Sequence, residues 1–270
     1  MSPLAMPLPP PPPLKRLGQH FLVDPNIVRK IIALAGLRSD ETVLEIGPGR
    51  GILTRALSGA ARAVIAIEVD PKLHAHLAET FAADHAKVDL RLGDALAFDY
   101  LNLPPRTVVV ANLPYNLSTP LLMKLLDART RIDRMVLMLQ TEVARRLVAQ
   151  AGTREYGSLS VLTRHAAEVS LAFQVSASCF RPRPEVGSAV VSLTIRRESP
   201  VGVVDEAAFA RIVRASFAHR RKTIANSLRD EGLPPDRIAA ALTRAGIAPS
   251  RRAETLGLHE FGALTAAMES

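Results

Sequence analysis

Cysteine is almost missing from this chain of 270 residues: Cys179 stands alone. That excludes an internal disulfide and a cysteine-built metal cluster, and it fits a reducing compartment. As a single thiol, Cys179 reads as a small buried hydrophobe. Long apolar runs are missing too. No stretch of about 18 apolar residues free of charge occurs, so nothing here is expected to span a membrane. The start of the chain, with its proline run Pro9 to Pro13, lacks the basic opening and the uninterrupted apolar core of a secretion signal. Residues 1–14 are expected to form a disordered or polyproline-type tail, and the protein is expected to be cytoplasmic.

Acidic residues are in deficit. The chain carries 34 Lys+Arg against 26 Asp+Glu, a net charge of +8 and a pI near 10.2, which points to an anionic partner. Nucleic acid is the leading class and a membrane surface the trailing one, although arginine-rich composition also arises without any binding role. Residues 201–270 hold ten Lys/Arg and eight acidic residues, so most of the excess positive charge lies in 1–200.

Beyond the tail, Asp24-Pro25 reads as a helix cap followed by proline at the first helical position, with a helix to about Gly36. Candidate strands then alternate with helical patterns: Val43–Ile46, Ala63–Glu68, Val88–Leu92, Thr107–Ala111, Met135–Leu139, Ser170–Val175 and Ala189–Ile195. Helices are expected at 71–82, 118–129 and 141–150. Such repetition predicts an α/β, doubly wound, mostly parallel sheet. The connection between the last two strands is too short for a helical crossover, which predicts an antiparallel pair. Near Glu198-Ser199-Pro200 the pattern changes. Segments 205–218, 221–230, 234–245 and 257–268 carry apolar residues at helical spacing and predict a small all-helical domain. The expected division is therefore 1–14 tail, 15–198 catalytic α/β domain and 199–270 helical domain.

Chemistry concentrates at strand ends. Asn112-Leu113-Pro114-Tyr115 follows the apolar run Val108–Ala111, which reads as a buried parallel strand. It supplies an amide oxygen, a proline-directed carbonyl and an aromatic face, a set suited to an exocyclic amino group on a flat heterocycle. An adenine taken out of its stack would fit. A strand-ending turn with a core tyrosine is the ordinary alternative. Upstream, Glu45-Ile46-Gly47-Pro48-Gly49-Arg50-Gly51 follows the first strand and opens a helix, so its glycines permit close approach of a ligand to the backbone. Glu68 ends the second strand, 21 residues after Gly47, where a carboxylate can accept both ribose hydroxyls of an adenosine-containing cofactor. That spacing suits NAD as well. The missing third glycine of a dinucleotide loop, and Asp94 at the end of the third strand, favour S-adenosylmethionine. Taken singly, these residues read as turn glycines, a surface acid and a helix cap; on three successive strand ends they make a site.

These residues resemble the ribosomal RNA adenine N6,N6-dimethyltransferases. The resemblance runs from Lys15 to about Phe261. It rests on Lys-Arg-Leu-Gly-Gln-His-Phe-Leu (15–22), Glu-Ile-Gly-Pro-Gly (45–49), Glu68, Gly-Asp-Ala (93–95), Asn-Leu-Pro-Tyr (112–115) and Phe-Arg-Pro-Arg-Pro-Glu-Val (180–186). Arg-Arg-Lys-Thr (220–223), Asn226-Ser227-Leu228 and Arg252-Ala253-Glu254 bring it closer to the small-subunit branch. The resemblance implies a Rossmann-like, seven-stranded S-adenosylmethionine-dependent methyltransferase sheet with a C-terminal all-helical domain. It implies a cofactor pocket lined by Gln19, His20, Leu22, Gly47, Glu68, Asp94 and Asn112. Where the family usually has asparagine, this chain has His20.

By the same resemblance, the substrate is 16S rRNA in the assembling small subunit, and the product carries dimethyladenosine at two adjacent positions of the 3′-terminal hairpin loop. The protein is expected to act as a monomer, without a metal. The Asn112 amide oxygen and the carbonyl of Leu113 or Pro114 are expected to hold the N6 hydrogens, Tyr115 to stack on the target base, and Phe180 to close its other face, with a core position as the alternative for Phe180. Arg181, Arg183, Arg220, Arg221 and Lys222 are candidate RNA contacts; the last three also read as a solvated helix start. A large-subunit adenine dimethyltransferase and a non-catalytic RNA-binding assembly factor are the competing functions.

Overall fold

The computed structural model describes residues 11–14, 17–202, 205–219 and 221–269. Lys15, Arg16, Arg220 and residues 1–10 of the expected tail lie outside the described residues. In order, the chain forms β1 (Phe21–Leu22), α1 (Pro25–Ala35), β2 (Thr42–Ile46), α2 (Ile52–Ala60), β3 (Ala63–Glu68), α3 (Pro71–Thr80), β4 (Val88–Leu92) and β5 (Thr107–Asn112). Then come α4 (Ser118–Asp127), β6 (Ile132–Gln140), α5 (Thr141–Val148), α6 (Ser158–Ala166), β7 (Ala167–Val175), β8 (Phe180–Arg181) and β9 (Ser188–Ile195). The remaining helices are α7 (Glu206–Phe217), α8 (Ile224–Asp230), α9 (Pro235–Arg244) and α10 (Leu258–Glu269).

Seven strands form one mixed sheet in the order β4-β3-β2-β5-β6-β9-β7. The first five pair in parallel and β9 runs antiparallel to β6. Between β9 and β7 the Ser170 and Ser192 hydroxyls lie 2.8 Å apart, and the Arg196 N–H donates to the Ala166 carbonyl at 2.9 Å. One strand therefore descends as the other rises, the antiparallel end that the short connection predicts. All five residues of β2 are buried, as a central parallel strand covered on both faces requires. The strand order reverses direction between β2 and β5, so the crevice at their carboxyl ends is the topological switch point where ligands of such sheets bind.

Local chemistry fixes the ends of the elements. Asp24 and Asp70 each precede a proline and cap α1 and α3, accepting the Asn26 and Lys72 N–H groups at 2.8 and 2.9 Å. Gly51, at φ 76°, opens α2, and a Cβ there would come within 2.9 Å of Leu77 and Phe81, so the turn admits glycine alone without repacking. Arg134 on β6 ties down the far end of α1. Its guanidinium donates to both Glu41 carboxylate oxygens at 2.8 Å and to the Ala35 and Gly36 carbonyls at 2.9 and 3.0 Å.

Two compact units result: 1–144 with 170–195, and 145–169 with 196–270. The sequence-based boundary at 198/199 lies close to the third crossing, at 195/196, whereas 145–169 groups with the helical unit. Within that unit the Tyr156 hydroxyl donates to the Leu256 carbonyl at 2.8 Å, the Gly152 N–H donates to the Glu254 carbonyl at 2.8 Å, and His165 meets Glu206 at 2.7 Å. Phe209, Phe261, Leu228, Leu242 and Leu264 are buried there. Helix α6 has no counterpart in the sequence reading. Seven of its nine residues are buried, Ser160, Thr163 and His165 among them, so its buried face is not marked by apolar residues alone.

Candidate active site

The carboxyl ends of β3, β2 and β5 stand side by side, and a cavity opens above them within the first unit. Its walls come from the 17–22 segment, Glu45 to Leu53, Ile67 to Val69, Gly93 to Ala95, and Asn112 to Tyr115. Gln19, His20, Leu22, Gly47, Glu68, Asp94 and Asn112 all line it, so the structure brings together every residue expected at the cofactor pocket.

Glu68 is 4% exposed. Its carboxylate accepts the Gly49 N–H at 3.2 Å and the Asp70 N–H at 2.9 Å; burial pushes its pKa up, against the pull of those donors. The loop it holds is tight. Gly49 sits at φ 57°, and a Cβ there would lie 2.8 Å from the Phe21 ring. Glycine thus lets the loop backbone and the 19–22 segment close on one another. Asp94 is exposed at the rim, with Oδ1 accepting the Leu96 N–H at 2.8 Å. Gln19 is engaged at both ends of its amide, accepting from Leu14 N–H at 2.7 Å and donating to Asp70 at 3.4 Å. Through that bond, and through Arg50 donating to the Pro11 carbonyl at 3.3 Å, the described end of the expected tail is held against the unit.

Asn112 closes the far wall. Its Nδ2 donates to the His20 carbonyl at 3.3 Å, which leaves Oδ1 pointing elsewhere; Oδ1 is buried without a hydrogen-bond partner. A buried amide oxygen with no donor costs roughly 1–3 kcal/mol, a cost removed when a ligand supplies an N–H. Next to it the Pro114 carbonyl already accepts the Leu117 N–H at 3.0 Å. The Tyr115 hydroxyl lies 2.6 Å from the Ser188 hydroxyl, and its ring stacks on His20 with centroids 5.5 Å apart and planes at 26°. His20 Nδ1 is 2.9 Å from the Pro182 carbonyl. A carbonyl only accepts, so that nitrogen carries the proton.

A second, two-stranded sheet positions this wall. β1 pairs antiparallel with β8, matching Phe21 to Arg181 and Leu22 to Phe180. Strands this short leave no periodic signal in a sequence. The structure does not bring Phe180 to the cavity: its side chain is 0% exposed and packed in the apolar cluster with Leu22, Ile27 and Val175. The core reading is the one its surroundings fit, because a side chain enclosed by aliphatic neighbours has no free face for a base.

Of the candidate RNA contacts, Arg181 is exposed and folds back onto the Ser178 and Phe180 carbonyls at 3.1 and 2.8 Å. Arg183 is exposed on an open polar groove with Gln174, Ser176 and Thr141. In the helical unit Arg221 is exposed beside Arg154 and Arg252, and Lys222 pairs with Asp230. One cavity residue was overlooked at the sequence level. Glu45 is 1% exposed on the wall; a lone acid within the apolar strand Thr42–Ile46 was its signal.

The ribosomal RNA adenine dimethylase family matches residues 14–266. The chain belongs to the ribosomal RNA adenine dimethylase family. Its methyl donor is S-adenosylmethionine, and the cavity fits such a ligand: Glu68 and Asp94 line it together with the glycine loop, and side-chain oxygens of Glu45 and Asn112 are buried there without partners. The chain is 46% identical over 268 residues to the ribosomal RNA small subunit methyltransferase A of Moorella thermoacetica, covering 95% of this chain and 93% of that protein. It is 44% identical over 268 residues to the protein of the same name from Geobacillus thermodenitrificans, covering 94% and 90%. Among solved structures it is similar to a dimethyladenosine transferase from Plasmodium falciparum, with TM-score 0.79, 27% identity, and coverage of 91% of this chain and 96% of that one. The 23S rRNA methyltransferase ErmE superposes with TM-score 0.69 at 29% identity, covering 93% of this chain and 100% of its own.

Proposed function

We propose that this dimethylase acts on the small-subunit rRNA, placing two methyl groups on N6 of each of two adjacent adenines in the 3′-terminal hairpin loop of 16S rRNA. In this reading it works in the cytoplasm as a single chain on an assembling particle. The small-subunit names of relatives that match it along nearly their whole length favour that substrate over the large-subunit one.

The observation that carries the chemistry is the unpartnered Asn112 Oδ1 at the end of β5. Adenine N6 is a poor nucleophile because its lone pair is delocalised into the ring. Two acceptors aimed at its two hydrogens favour a pyramidal nitrogen, whose lone pair can then point at the methyl donor. Asn112 Oδ1 is one acceptor. The Leu113 carbonyl is the other, since the Pro114 carbonyl is engaged by Leu117. His20 covers one face of Tyr115, and the target base takes the other. S-adenosylmethionine supplies the electrophilic methyl; Glu68 receives its ribose and Asp94 its adenine amino group. No strong base is needed, because the N6 proton becomes acidic once nitrogen carries the incoming methyl. The remaining hydrogen of the monomethylated base is still held by one acceptor, which permits the second transfer.

Arg181, Arg183, Arg221, Lys222 and Arg220 serve in this reading as phosphate contacts. The test is methyl transfer to immature small subunits, followed by mass mapping of the modified nucleotides. Dimethylation of adjacent adenines near the 3′ end of 16S rRNA supports the reading, and modification confined to 23S rRNA overturns it.

A further inference from the structure

Glu45 is a carboxyl group in the cavity wall that the methyl-transfer scheme leaves without a task. It occupies β2, the middle one of the five parallel strands, at 1% exposure, and its Oε2 meets no hydrogen-bond partner. The Thr54 hydroxyl on α2 lies close enough to influence it, and the neighbouring charge is Glu68 on β3, of the same sign. On β5 the adjoining cavity residue is Asn112, which is uncharged. Among the other ionisable groups lining the cavity, Arg50 lies with its guanidinium over the Phe21 ring, 4.7 Å from the centroid; His20 bonds to Pro182, and Asp94 stands exposed at the rim. Asp70, behind Glu68, bonds Gln19 and the Lys72 N–H. Among the described residues, no lysine, arginine or histidine forms an ion pair with Glu45.

A carboxylate buried beside another carboxylate and facing no cation is costly to keep ionised. Burial, with Glu68 adding to it, pushes Glu45 up to about 8. The group is therefore a neutral acid in the unliganded protein near pH 7. S-adenosylmethionine brings into this cavity a permanent sulfonium and an ammonium against one carboxylate, a net charge of +1. S-adenosylhomocysteine, left after methyl transfer, lacks the sulfonium and is net neutral.

We propose that Glu45 is a charge-matching residue of the cofactor site: it gives up its proton when the cationic methyl donor binds, and so favours the donor over the spent product. The inference rests on assigning this cavity to the cofactor. The balance is simple: the neutral acid becomes a carboxylate facing the ligand's positive charge, and one proton leaves to solvent. Once the sulfonium is consumed, the carboxylate loses that counter-charge and recovers its proton, weakening the hold on the product.

The test is isothermal titration calorimetry of the full-length protein with each ligand at several values of pH between 6.5 and 9, in two buffers of different ionisation enthalpy. Wild-type protein is expected to release a substantial fraction of one proton per S-adenosylmethionine at pH 7, and a smaller fraction with S-adenosylhomocysteine. Its Kd for the donor should fall with rising pH up to about 8, approaching tenfold per unit where the group titrates fully. Glu45→Gln, which keeps the size of the neutral acid, should lose that release and most of the preference for the donor. The amino group of the ligand titrates in the same range and cancels between wild type and variant. Equal proton release from both ligands in the wild type at pH 6.5, where both amino groups stay protonated, would overturn the proposal even without a folded variant, as would an unchanged slope in a folded Glu45→Gln protein. Failure of either ligand to bind would instead count against the cofactor assignment itself.

Discussion

Asn112 and His20 are joined by one hydrogen bond, from the Asn112 Nδ2 to the His20 carbonyl at 3.3 Å. The bond fixes which end of the amide faces the cavity, and leaves Oδ1 buried and unpartnered. The backbone, not the imidazole, makes this contact, so the orientation of the amide does not depend on having histidine at position 20. His20→Asn, which restores the usual residue of the family, is expected to retain transfer within about tenfold, the loss coming from the stacking contact with Tyr115. Steady-state kinetics with RNA and cofactor varied separately would check this, and a loss beyond a thousandfold would give the imidazole a chemical role.

In the proposed site Glu68 answers for cofactor affinity. Its two oxygens already order the Gly49 and Asp70 N–H groups, so Glu68→Ala removes a ligand acceptor and loosens the loop together. A charge-assisted hydrogen bond is worth about 1.5–3 kcal/mol, which predicts a rise of roughly tenfold or more in the Kd of S-adenosylmethionine. Calorimetric titration measures it; an unchanged Kd would remove Glu68 from the cofactor site.

Gly49→Ala tests the close approach of the loop to the 19–22 segment. The new Cβ would meet the Phe21 ring at 2.8 Å from a backbone already at φ 57°. Positive φ in a non-glycine residue costs on the order of 1 kcal/mol before the clash is counted. Thermal denaturation should show a loss of about 1–3 kcal/mol, with weaker cofactor binding because Phe21 lines the cavity.

Acid sensitivity should trace to Glu41. The Arg134 guanidinium beside it holds its carboxyl down at about 2, against an ordinary value of 4.5. The stabilisation is fully present above about pH 4.5 and is lost as pH falls toward 2. With allowance for solvent screening it amounts to on the order of 2–3 kcal/mol. Glu41→Gln should flatten the decline of stability over that window in urea denaturation, while wild type shows the full slope.

In the helical unit, Lys222 is already paired with Asp230 whereas Arg221 lines an exposed basic depression. Arg221→Ala is therefore expected to lower the salt dependence of RNA binding by about one counterion, and Lys222→Ala by less. Binding isotherms at several salt concentrations would show it; equal slopes for wild type and Arg221→Ala would place this arginine outside the RNA interface.

The parallel sheet was legible because most of its strands are short apolar runs bounded by turn residues, and the acids expected at the cofactor lie at or just past strand ends, where α/β sheets bind ligands. Gly47, Glu68 and Asp94 could thus be grouped from their places at strand ends, whereas Asn112 joined the cofactor group only through the resemblance to the family. Three features were not legible. Helix α6 buries Ser160, Thr163 and His165 along with its apolar residues, so apolar spacing alone does not mark it. The pairing of Phe21-Leu22 with Phe180-Arg181 joins residues about 160 positions apart through strands of two residues, and nothing local announces it. For the same reason Phe180 was expected at the base and lies in the core. The aliphatic neighbours that enclose it come from α1, β1 and β7, and are assembled only in the folded chain.

The most direct measurement is transfer of labelled methyl from S-adenosylmethionine to immature small subunits by wild type and Asn112→Ala, with methyl groups counted per adenine by mass spectrometry and cofactor Kd measured alongside. The account predicts dimethylated adenines with wild type and a loss of roughly a hundredfold or more with the variant at saturating cofactor, with a smaller rise in cofactor Kd because Asn112 also lines that cavity. Near-normal dimethylation by Asn112→Ala would contradict it.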